Sequence, residues 1–172
     1  MADKNMFLRT MRRLGESERL DPAVRAAGPL ADKLVADRRL RSFFSGEATG
    51  IPPHGIATDV PFGAWFMAIF LDLFRDDGTR RAATRLVALG VVAAAPTGIT
   101  GWAQWARADR ATRRIGVVHA AANLTATLIF LASWVARTRD RHRLGVRLAR
   151  AGGAVAIVGG FLGGHMRSRR TP

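Results

Sequence analysis

LVALGVVAAAPTGITGWAQWA (residues 86–106) and IGVVHAAANLTATLIFLASWVA (residues 115–136) carry no charged residue, and arginines gather beyond their ends. A helix rises about 1.5 Å per residue, so about 20 apolar residues cross a hydrocarbon core of about 30 Å. Both stretches are long enough. The solvent that governs this chain is therefore lipid, in which backbone polar groups must bond within the protein, and helices do so within one segment. The reading is an all-α integral membrane protein.

Two further spans lie outward from this pair. Residues 58–74 form an apolar run broken near its end by Asp72, with Thr58 and Asp59 as an N-cap pair and Pro61 just inside the helix. Residues 144–165 form the last, with Arg147 and Arg150 placed to snorkel outward. Short connections make neighbours antiparallel, which gives a four-helix bundle over residues 51–166. Gly90, Ala94, Gly98 and Gly101, and likewise Gly152, Ala156, Gly160 and Gly164, supply small faces for close helix approach. Trp102 and Trp105 fall at headgroup depth. The segment Gly50–Gly55, rich in proline and glycine, reads as a loop.

Residues 1–50 differ in kind. Leu20, Val24, Leu30, Leu34, Phe43 and Phe44 are interleaved with charges, Asp21-Pro22 suits a helix start, and Gly28-Pro29 divides the run. This pattern predicts an amphipathic helical arm lying at the membrane interface. Residues 167–172 read as a basic tail.

The net charge is +14, yet the mean hydropathy is only +0.05, because apolar and strongly charged segments average out. Arginines cluster at span ends: Arg80, Arg81 and Arg85; Arg107, Arg110, Arg113 and Arg114; Arg137, Arg139, Arg141 and Arg143. Anionic lipid headgroups, not nucleic acid, are the partner this distribution fits. The absence of cysteine excludes disulfides, thiolate metal sites and cysteine nucleophiles. Charges run through the N-terminus, so no cleavable signal is expected there. No phosphate loop, dinucleotide fingerprint, nucleophile elbow or metalloprotease helix is present. A redox carrier or a scaffold is expected before an enzyme.

The histidines carry the remaining information. Antiparallel order places His54, His119 and His165 near one membrane face, while His142 lies among arginines at the other. His119, Asn123 and Thr127 form one polar stripe, which turns toward other helices in lipid. Neutral imidazole is the usual axial ligand of haem iron, a histidine from each of two spans could clamp one haem b between them, and the same groups with Asp59 could instead hold zinc, copper or non-haem iron. His119 and His165 are the expected ligands, of haem iron or of a bare metal at the same site. His54 is a third candidate, with Asp59 and Asn123 orienting the ligands. Electron transfer is then the expected role. The alternative is a scaffold whose histidines only join helices. Asp72 is expected to pair with Arg75 or Arg80.

The segments HGIATDVPFG (54–63), Thr97-Gly98 with Trp102, GVVHA (116–120) with Asn123, and Gly163-Gly164-His165 together resemble a bacterial membrane family designated domain of unknown function 2231. The likeness runs from about Leu20 to His165. It implies a four-helix domain of the bacterial inner membrane, similar in general form to b-type cytochromes. Members often precede a Rieske domain, which implies a Rieske-type or other redox protein as partner. The family's His-Pro-x-His-Pro pattern is altered here, with Ile51 at its first histidine and Gly55 at its second proline, whereas His54, His119 and His165 match. With no cysteine, no Rieske domain is expected on this chain itself.

Overall fold

The computed structural model describes residues 2–47 and 50–168, with side chains from Met6 onward, and the regular elements among these residues are all helices. Three helices form the arm: α1 (Ala2–Glu16), α2 (Asp21–Leu34) and α3 (Arg38–Ser45). Four long helices follow: α4 (Pro53–Leu71), α5 (Asp77–Trp105), α6 (Arg110–Thr138) and α7 (His142–Ser168). All four are long and apolar enough to cross a membrane, and the protein is multi-pass. Asp76 and Asp109 cap α5 and α6 by accepting from the amides of Thr79 and Thr112. Each thereby satisfies one of the first amides, which have no partner inside the helix.

Several local expectations are corrected. α4 starts at Pro53, with Pro52 as its N-cap, so His54 stands in its first turn and not in a loop. Thr58 donates back to the His54 carbonyl inside the helix, and Pro61 sits in the helix interior. α2 runs unbroken through Gly28-Pro29. Pro29 stands in the interior of α2, where it removes one backbone bond, and the helix continues through it. Within the expected basic tail, Arg169 to Pro172 lie outside the described residues.

The bundle is inside-out relative to a water-soluble one. Its interior is built from Ala64, Ala68, Ala83, Ala126, Ala149 and Ala156, while Val92, Leu124, Leu128, Val158 and Phe161 stand exposed. Lipid tails welcome large apolar side chains as well as a core does, so helices associate through small residues that allow close approach. In sequence order the helices ring the bundle, with α4 against α5 and α7, and α6 against α5 and α7. α4 and α6 therefore face one another across the centre. There Trp65 stacks on Phe130, with ring centroids 4.3 Å apart.

The arm docks on the end of the bundle where α4 and α6 begin. Met11 of α1 is buried with Ile115 and Leu162, and Ala31 of α2 with Trp105 and Ala106. Asp21 fixes the connection between α1 and α2. Arg114 donates to both its oxygens at 2.7 and 2.8 Å, and also to the Gly15 carbonyl at 3.1 Å; Arg110 adds a further bond at 2.6 Å. The bonds from Arg114, then those from Arg110, hold the Asp21 carboxyl well below the usual carboxylate range. A group with a lowered folded-state pKa contributes docking fully above its ordinary value and loses it as pH falls through the folded one. The arm is therefore expected to stay docked at about pH 4, where free aspartates are half protonated, and to release only in stronger acid. Asp21→Asn is expected to expose residues 2–34 to proteolysis severalfold faster at neutral pH. Unchanged cleavage would show that apolar contacts alone hold the arm.

Candidate functional site

His54 lies against α5. Its Nδ1 is 3.1 Å from the Thr97 carbonyl and 3.2 Å from the Thr100 hydroxyl. A Cβ on Gly101 would come within 2.9 Å of the ring at Cε1, so only glycine leaves room for the imidazole. His119 repeats the arrangement on the other pair of helices. Its Nδ1 is 2.9 Å from the Gly159 carbonyl, and a Cβ on Gly163 would stand 2.9 Å from its Cε1. A carbonyl only accepts, so in both rings Nδ1 carries the proton and Nε2 carries the lone pair in the neutral form. This tautomer is the one a histidine needs to bind a metal through Nε2. Asn123 joins the second ring, with its Nδ2 3.1 Å from His119 Nε2 and 3.0 Å from the His119 carbonyl.

His165 is placed differently. It meets the Phe7 ring edge-on with centroids 5.9 Å apart, and lines an apolar groove with Phe62, Phe66 and Phe161. It lies two residues beyond Gly163, and two helical residues turn through about 200°. His119 and His165 thus face different neighbours around α7, and the histidines in matching surroundings are His54 and His119. Asp59 is exposed on α4. Among the described residues, no three His, Asp or Glu side chains converge as a metal-holding group.

At the opposite end, Asp72 is paired with Arg137 rather than with Arg75 or Arg80. Two bonds of 2.8 and 2.5 Å join them, and both side chains are fully buried. Arg137 also donates to Ser133, whose hydroxyl donates to the Gly145 carbonyl. The backbone acceptors at Thr97 and Gly159 are the functional groups that residue identity does not announce. Their signal is the glycine one turn later, at Gly101 and Gly163.

A family profile described as "Predicted membrane protein (DUF2231)" matches residues 50–171. The chain belongs to that family. Neither the curated proteins nor the solved structures contain a match.

Proposed function

We propose that this DUF2231 member is a protein of the bacterial inner membrane that holds haem b or a transition metal on imidazoles at its arm-covered face and passes electrons to a partner. One observation carries this reading: His54 and His119 each donate Nδ1–H to a backbone carbonyl of the next helix. Such a bond fixes ring orientation and presents Nε2 as the ligating atom. The donor set is all imidazole, without cysteine, which suits haem iron or a borderline metal. His54 and His119 would hold the group, and Asn123 would turn from His119 Nε2 onto the His119 carbonyl it already reaches. His165, on the groove side of α7, is the third candidate. When bound, the group would supply one-electron exchange. The arm helices, stacked over this end, would limit water access. A separate Rieske-type or other redox protein is the proposed electron partner.

A second reading is favoured by a specific contact. Asn123 Nδ2 lies 3.2 and 3.1 Å from the two ring nitrogens of His119, and both rings nest on glycines, as expected of groups that only join helices in a scaffold. The two readings part on one measurement. Purified in detergent and reduced with dithionite, the protein is expected to show a Soret band or a stoichiometric metal by mass spectrometry. His54→Asn and His119→Asn should each lose it while remaining folded. A colourless, metal-free wild-type protein would remove the cofactor reading and leave the scaffold.

A further inference from the structure

His54 and His119 are 65 positions apart, and so are Trp65 and Phe130, and Asp72 and Arg137. On the following helices, Gly90 and Gly152, Thr97 and Gly159, and Gly101 and Gly163 are each 62 apart. These are the residues that make the central contacts. Each histidine meets the carbonyl and glycine of its own hairpin. Trp65 packs on Gly90 as Phe130 packs on Gly152. Along the same registers Arg81, Arg85, Leu86, Ala94 and Gly98 recur unchanged as Arg143, Arg147, Leu148, Ala156 and Gly160. The hairpins α4–α5 and α6–α7 are thus two copies of one unit. Since α4 and α6 both start at the arm face, the axis relating the copies runs along the membrane normal. Trp65 stacked on Phe130 and Asp72 paired with Arg137 are equivalent residues meeting at that axis.

Two identical hairpins would bring identical residues together at the axis. At this fully buried charged position that means two aspartates or two arginines. Like charges in so dry a place repel strongly, and each would lack a partner. The chain holds one of each instead. The neighbouring residues differ accordingly. Gly145 leaves room for Arg137, whose Cγ would stand 2.5 Å from a Cβ there, while the equivalent position on the other hairpin is Ala83. Ser133, bonded to Arg137, has Ala68 as its equivalent.

We propose that the inner face of each hairpin is a docking surface for the other hairpin, and that the Asp72–Arg137 pair makes it refuse its own kind, including the same hairpin of a second chain. The pair then acts as a selector of partners more than as a source of stability, a use attested for other buried polar groups.

The test uses full-length chains in detergent. Arg137→Asp places an aspartate on both hairpins, and Asp72→Arg with Ala83→Gly places an arginine on both. Expressed alone, each is expected to give about tenfold or more less folded monomer than wild type. Co-expressed with different tags, the two should rescue one another and co-purify one to one, because hairpins exchanged between chains restore opposite charges. The variant D72R/A83G/R137D, which swaps the charges within one chain, should return to monomer. Either like-charged chain folding as well as wild type would overturn the proposal. So would failure of the two chains to co-purify, or failure of the swapped chain to fold.

Discussion

Gly90→Ala is expected to cost the bundle about 2 kcal/mol. A Cβ at this position would lie 2.3 Å from Trp65 Nε1 and 2.5 Å from its Cδ1. Trp65 has nowhere to retreat, because its other face is stacked nearly parallel on the fully buried Phe130. The helices must part instead, and overpacking of this kind costs about 3 kcal/mol at its upper range. Alanine's better helix propensity returns about 1 kcal/mol of that. The expected fall in melting temperature for a chain of this size is about 4–8 °C, read by thermal unfolding in detergent. Gly98 is the control, since a Cβ there meets nothing within 4 Å. Gly98→Ala should be neutral or slightly stabilising, by up to about 1 kcal/mol. Equal losses at both positions would mean that glycine serves flexibility here, not close approach.

Indole nitrogen Nε1 of Trp65 adds weight to this contact. It is buried without a hydrogen-bond partner among the described residues. An orphan N–H in a dry interior is normally avoided, at a cost of about 1–3 kcal/mol. Its persistence here reflects the fit of the ring against Gly90 on one side and Phe130 on the other. The flat indole fills the space between α4, α5 and α6, and the N–H is carried along with it.

The four spans are legible in the sequence because lipid demands long apolar runs with few charges, a demand that any reader of the chain can apply. Helix ends are less legible. The run Ile51-Pro52-Pro53-His54-Gly55 has the composition of a loop, yet Pro53 is also well suited to a first helical position, and α4 uses it so. Thr58, read as a cap, bonds backward to the His54 carbonyl, which a hydroxyl does equally well once the helix has begun at Pro53. The depth of the histidines follows from span order. Their azimuth does not, because it depends on which neighbouring helix offers a glycine. His119 turns toward Gly163, whereas His165, two residues further along α7, is carried to another side. Asp72 and Arg137 are far apart in sequence, and no periodicity within either helix connects them. They become visible as partners only when the two hairpins are laid in register, a comparison that the sparse identities of α4 and α6 conceal and the glycines of α5 and α7 support.

Phe130→Ala is expected to cost about 3 kcal/mol, the low end for a buried aromatic. In water, part of such a loss is the transfer of apolar surface. In a membrane the separated helices remain in an apolar medium, so packing supplies nearly all of it. Phe130 has much packing to lose: it is fully buried, stacks on Trp65 and fits against Gly152 across the α6–α7 interface. Combining it with Gly90→Ala separates two explanations of the central contact. With Phe130 gone, Trp65 can slide into the vacated space and clear the new methyl group at position 90. The double variant should therefore lose about 1–2 kcal/mol less than the two single losses together. Additive losses would mean that Trp65 is held by something other than Phe130, and that the central stack does not govern how closely α4 approaches α5.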